Sequence, residues 1–215
     1  IASVGVFYKN LDDFIYRKII FASPYPLTGT PLVESIDVVQ AQNGNSANLF
    51  GIELAFQRNL KFLPGFLKNL SLYTNYTYTY SSATIQSRQA DEDKPDETEE
   101  TRLPGQATHV GNASLAYETK KFVIRAAVNF NGEYLSEIGG NNSEDLYVKN
   151  RAQVDLNFSY IINQKLRVFA EVLNITNQPF ETYMGNKDVL VQREFYASWA
   201  RLGIKFDFKT VKTSQ

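Results

Sequence analysis

From Glu194 to Phe208 the sequence EFYASWARLGIKFDF alternates residue by residue. Tyr196, Ala200, Leu202, Ile204, Phe206 and Phe208 fall on one face, and Phe195, Ala197, Trp199, Arg201, Gly203, Lys205 and Asp207 on the other. Period two is the period of a β-strand, whose successive side chains leave on opposite faces. One such strand suits a soluble sheet as well as any other, so its repetition decides. The same alternation recurs over 1–21, 33–60, 69–82, 106–118, 121–134, 149–162 and 165–176, which with the last strand makes eight. Two places inside these runs are left open: Lys9–Asp13 is a bulge or a turn, and Asn43-Gly44-Asn45-Ser46 is a tight turn or a disturbance within one long strand.

The connections carry a second regularity. They are short at 62–68, 119–121 and 163–164, and long at 22–32, 83–105, 135–148 and 177–193. Short turns on one side and long loops on the other are how outer-membrane barrels are built. Each predicted strand exceeds the roughly 9–11 residues of a tilted membrane crossing. In 69–82, Leu70 and Leu72 lead on the same face to Tyr76, Tyr78 and Tyr80. That gradient fits a strand passing from hydrocarbon into an aromatic interface belt. The predicted fold class is therefore all-β: an antiparallel transmembrane β-barrel segment of about eight strands, with polar side chains facing an interior.

Composition narrows the function classes. Mean hydropathy is −0.30 and no apolar run approaches the roughly 18 residues of a membrane helix, which leaves a barrel open because only half its residues face lipid. The chain has no cysteine, so disulfides and thiolate metal sites are excluded. Net charge is −1, with no clustered basic face of the kind nucleic acid requires. The single histidine, His109, cannot form a multi-His zinc site, and the sequence offers it no triad partners, so no enzyme is expected. The acids of 91–102 lack a fixed ligand spacing, and a solvated loop is preferred to a calcium site. No metal, cofactor or catalytic residue is expected. Alternation starts at the first residues with no leader before it, so the chain is expected to be the C-terminal part of a longer protein.

Several pieces occur in an order that resembles the C-terminal third of TonB-dependent outer-membrane receptors: Gly5-Val6-Phe7-Tyr8-Lys9, Gly51-Ile52-Glu53-Leu54, Asn75-Tyr76-Thr77-Tyr78, Leu103-Pro104-Gly105, Asp155-Leu156 and Asn174-Ile175-Thr176-Asn177. The ending Arg201, Gly203, Phe206 and Phe208 is similar to the signal that the barrel-assembly machinery reads. The resemblance implies that residues 1–208 are the C-terminal part of a 22-strand barrel, with 209–215 a polar tail. It further implies a plug domain outside this chain, contact with TonB through that plug, outer-membrane lipid around the wall, and for some members a surface lipoprotein. The function implied is import of a scarce nutrient of the siderophore, cobalamin, glycan or peptide class.

The long loops would then supply ligand-facing groups. Asn141, Asn142 and Tyr147 in one, and Tyr183, Asn186 and Asp188 in the other, are the candidates. The alternative is a self-contained eight-strand barrel with a structural or adhesion role, its lumen filled by side chains such as Tyr73, Phe195, Trp199 and Arg201. A closed ring of that kind pairs Val4–Lys9 with Leu202–Phe208.

Overall fold

The structure is a computed structural model, and it describes residues 1–23, 36–88 and 97–208. The proline-bearing connection around Pro24, Pro26 and Pro31, the acids Asp91, Glu92, Asp93 and Asp96, and the tail 209–215 lie outside the described residues. The main sheet carries eight strands in one antiparallel path: β1 (Ala2–Asp12), β4 (Ser46–Asn59), β5 (Leu70–Gln86), β7 (His109–Glu118), β8 (Phe122–Asn131), β11 (Arg151–Ile161), β12 (Leu166–Leu173) and β15 (Trp199–Phe206). A ninth strand, β6 (Thr98–Thr101), pairs with the far end of β5. Among the described residues β1 pairs only with β4, and β15 only with β12. The ring closure that a self-contained eight-strand barrel needs is thus not made, and the sheet is open at both edges.

Register fixes which side chains share a face. Phe7, Gly51, Thr79, Asn112, Asn129, Gln153, Glu171 and Arg201 lie on one side, related by opposed pairs between strands and by period two along β5 and β11. Val6, Ile52, Leu115, Ala126, Leu156, Val172 and Ala200 lie on the other. The apolar face is left bare: Val6 is 71% exposed and Leu202 83%. A soluble sheet buries that face, so an apolar surface spread across eight strands demands an apolar environment. Its rims are aromatic. Tyr8, Phe50, Tyr76, Tyr78 and Tyr80 lie toward the long loops; Tyr117, Phe122, Tyr160 and Phe206 lie toward the short turns.

The buried core is elsewhere. Tyr16, Ile85, Leu135 and Ile138 cluster beyond the sheet at the long-loop end, with Phe14 and Tyr147 packed against them. Strands continue into this layer. β2 (Ile15–Ser23) and β3 (Ile36–Asn43) prolong β1 and β4 past a joint at Asp13-Phe14 and Gly44-Asn45, where Phe14 O accepts from Gly44 N at 2.6 Å. Asn43–Ser46 is therefore a disturbance within a long strand, not a hairpin turn. A four-strand sheet holds β9 (Tyr134–Glu137), β10 (Leu146–Val148), β13 (Phe180–Met184) and β14 (Leu190–Glu194). Ile138 joins it to β2, donating to Arg17 O at 3.0 Å and accepting from Ile19 N at 2.8 Å.

Three sequence boundaries are corrected. The stretch 83–104 is not wholly loop: β5 runs on to Gln86, and Thr98–Thr101 pairs back on it. The strand expected over 165–176 ends at Leu173, because Asn174 and Asn177 turn the chain at φ 52° and 48°. The last strand does not run unbroken from Glu194. Ala197 at φ 59° separates β14 from β15, so Phe195 and Tyr196 do not continue the faces of the crossing strand.

Glycine has a packing role on the polar face. A Cβ on Gly51 would lie 2.2 Å from the Phe7 ring on the opposed strand, and Phe169 covers Gly203 in the same way at 2.3 Å. Each ring shields a backbone that a side chain would otherwise cover. Gly5 has only ordinary contacts at 3.7 Å. Gly51→Val is expected to displace Phe7 and destabilise the barrel by about 1–3 kcal/mol, whereas Gly5→Val stays within about 0.5 kcal/mol. Thermal unfolding of the detergent-extracted protein, followed by its heat-dependent gel mobility, checks the pair; equal shifts would contradict the packing role.

Candidate functional site

The polar face carries two hydrogen-bonded groups of side chains. Tyr73 accepts from Asn75 Nδ2 at 2.8 Å, and Asn75 Oδ1 accepts from Asn112 Nδ2 at 2.9 Å. Two strands on, Asp155 accepts from Asn129 Nδ2 at 3.1 Å and Gln153 Nε2 at 2.9 Å, and Gln153 in turn accepts from Arg151 Nη2 at 2.8 Å. Asp155 also accepts the backbone N–H of Asn174 at 2.8 Å. The Asn174 side chain then reaches Gln178 and Ala197, so one buried asparagine ties the end of β12, the following loop and the approach to β15 together. Arg201 pairs with Glu171 on this face, Nε to Oε2 at 2.9 Å. Alternating polar residues of this kind line water or a filler.

Above these groups sits the loop layer. Arg88, 6% exposed at its side chain, donates to Asp145 at 2.6 Å, to Glu99 and to Asn142. Asp145, 4% exposed, also accepts the Gly139 N–H at 3.0 Å. One guanidinium thus joins the extension of β5, strand β6 and the loop between β9 and β10. Burial pushes the Asp145 carboxyl above its ordinary range, and the Gly139 N–H and Arg88 only partly offset it. Tyr147 and Tyr183 face each other across β10 and β13 with rings stacked at 5.1 Å. Desolvation raises the Tyr183 hydroxyl, and its hydrogen bond to Glu133 raises it further. Lys187 meets the same Glu133 at 2.9 Å. Gly185, at φ +57°, lets its loop approach Ser143 O, where a Cβ would sit at 2.4 Å.

The six loop candidates take different places. Tyr183 is buried, and Tyr147 is half-buried against the small core. Asn141 is half-buried and closes its own turn, donating to Glu144 at 2.8 Å and accepting Ser143 N at 3.0 Å. Asn142 is exposed and accepts from Arg88. Asn186 and Asp188 are exposed in one turn, where Asp188 N donates to Asn186 Oδ1 at 3.1 Å. Arg88 and Glu133 have no distinguishing mark in the sequence; their roles arise from which loops the folded sheet brings together. His109, for which the sequence offered no partners, has two tyrosines: Tyr76 Oη lies 2.6 Å from its Nδ1, and the Tyr78 ring lies 5.4 Å away. These three sit on the apolar face in the long-loop aromatic rim. Among the described residues no group of three or more His, Asp or Glu is placed to hold a metal.

At the chain's end, Arg201 and Gly203 lie on the polar face and Phe206 on the apolar face of β15. Phe208 packs edge-on against Phe206 at 5.2 Å.

The family model described as "TonB dependent receptor-like, beta-barrel" matches residues 1–175. No curated protein sequence matches the chain. Solved structures of the ferric enterobactin receptor PfeA from Pseudomonas aeruginosa are similar to it. A glycine-to-valine mutant matches with a TM-score of 0.56 at 15% identity, covering 96% of this chain and 29% of that one. A double alanine mutant matches with a TM-score of 0.55 at 15% identity, covering 95% and 28%. At that identity they show the fold, and this chain spans under a third of their length. With a family match over most of its residues and an open antiparallel sheet that is apolar outside, the chain belongs to the TonB-dependent receptor β-barrel family.

Proposed function

We propose that this chain is wall, lumen lining and outer loops of an outer-membrane receptor that imports a scarce nutrient, with energy passed from TonB through a plug domain. The observation that carries this reading is the pairing of a bare apolar face with a hydrogen-bonded polar face that runs up into a packed loop layer. Nothing in that arrangement needs chemistry of its own. The wall gives a polar surface past which a ligand moves, and the loop layer gives a rigid rim that first meets it. Asn142, Asn186 and Asp188 are exposed on that rim and are the ligand-facing candidates we retain. Tyr147 and Tyr183 act through it by holding the two loops in register. Arg201, Gly203, Phe206 and Phe208 serve as the assembly signal in this reading. The substrate class is one of siderophore, cobalamin, glycan or peptide.

The function is tested by uptake. Cells carrying the full-length receptor are offered labelled ferric siderophore, cobalamin, oligosaccharide and peptide, with and without TonB. Accumulation of one of them that needs both the receptor and TonB is expected; accumulation of none contradicts the proposal. The loop layer is tested separately. Arg88→Met leaves the buried Asp145 and the half-buried Glu99 without their cation, which costs about 3–5 kcal/mol. Asp145→Asn costs less, because burial already disfavours that charge. Hydrogen exchange over 134–148 should therefore accelerate strongly in the first variant and weakly in the second, with 151–161 unchanged in both.

A further inference from the structure

The short-turn end of the sheet has a charge balance unlike the rest of the chain. Over 57–72 there is no acid, and the cations are Arg58, Lys61 and Lys68. The neighbouring turns add Lys120 and Lys121, then Lys165. The nearby acids are already matched: Glu118 lies 3.7 Å from Arg125, and Asp207 3.6 Å from Lys205. Among the described residues none of Lys61, Lys68, Lys120, Lys121 and Lys165 is within ion-pair distance of a carboxylate, and all five are exposed. Strand order places these turns side by side, because β5 pairs with β7 and β8 with β11. Adjacent hairpin turns along such a sheet stand about 10 Å apart.

Aromatic rings accompany the cations. The turn between β4 and β5 is a short 3-10 helix, Gly65–Asn69, and it buries nothing. Phe62 is 63% exposed and Phe66 69%. Arg58 leaves β4 on the apolar face, and its guanidinium lies 4.7 Å from the centre of the Phe62 ring. A phenylalanine has no polar handle and seeks hydrocarbon, while the cations seek anions. Both needs are met at the boundary between acyl chains and headgroups.

We propose that this rim is a docking surface for anionic glycerophospholipid, with Arg58, Lys61 and Lys68 holding the headgroup phosphate and Phe62 and Phe66 entering the acyl layer. The neighbouring lysines widen the surface to several headgroups. The site rests on the outer-membrane reading and is placed in the leaflet that the short turns enter. Each basic residue near an anionic lipid surface contributes roughly a fivefold gain in binding.

The test is native mass spectrometry of the detergent-solubilised full-length protein, titrated with phosphatidylglycerol and with phosphatidylcholine. The unaltered protein should hold phosphatidylglycerol at least about tenfold more tightly, the scale that a few basic residues supply. Arg58→Gln/Lys61→Gln/Lys68→Gln should lose that preference while keeping its grip on phosphatidylcholine. Lys120→Gln/Lys121→Gln, in a separate turn, should reduce the number of phosphatidylglycerol molecules retained. Phe62→Ser/Phe66→Ser should weaken both lipids. Equal binding of the two lipids by the unaltered protein, or full preference in both charge variants, overturns the docking surface and leaves the barrel reading intact. A protein that stays in solution without detergent and retains neither lipid overturns both.

Discussion

The backbone ladder across eight strands is the interaction on which everything else depends. In hydrocarbon no water satisfies a bare N–H or C=O, and each one left unpaired costs several kcal/mol. A sheet meets that demand only if every strand has a neighbour on both sides. Among the described residues the six inner strands do, and the two outer ones, β1 and β15, have one each. Open edges on long strands are a liability in water and a greater one in lipid. The chain's span of under a third of its structural relatives and its open edges thus describe the same thing: a section of wall whose edge strands call for further strands.

The two faces follow from that demand. With the backbone satisfied inside the sheet, the outer side chains need only be apolar and the inner ones need partners. The apolar side is simple, and its aromatic rims mark the depth of the membrane. The inner side is not simple. Asn129, Gln153 and Asp155 satisfy one another across strands, and Asp155 reaches out to fix Asn174. The polar wall is therefore stiffened by the groups that make it polar. The loop layer works by another rule. It has a small core of Tyr16, Ile85, Leu135 and Ile138, and a buried cation shared by two acids. Such a layer behaves as a compact rim resting on the wall, with its own stability.

Much of the wall was legible in the sequence, because period two and connection length are local and each strand states its own face. Leu70 to Tyr80 and Phe122 to Phe130 needed no tertiary information. The loop layer was much less legible. That Tyr16 packs with Ile85 and Ile138 depends on loops meeting after the sheet has formed, and no periodicity encodes it. Tyr183 illustrates the difficulty: in sequence it is one more loop tyrosine, and in the fold it is buried against Tyr147. The terminal strand misled for a related reason. Its alternation reads straight through Ala197, yet that residue turns left-handed where Asn174 holds its carbonyl. Alternation reports composition on either side of a break and is blind to the break itself.

In a membrane the apolar face of this wall meets lipid and the polar face does not. A chain without native cysteine allows it to be measured directly. Single substitutions Leu54→Cys, Ile124→Cys and Leu156→Cys on one face, and Glu53→Cys, Arg125→Cys and Asn157→Cys on the other, are spin-labelled in the membrane-reconstituted full-length protein. Relaxation is then compared for dissolved oxygen, which concentrates in lipid, and for a water-soluble nickel chelate. The first three are expected to respond to oxygen over nickel and the second three are not, so the preference alternates between neighbouring residues. Nickel reaching both sets equally would contradict it.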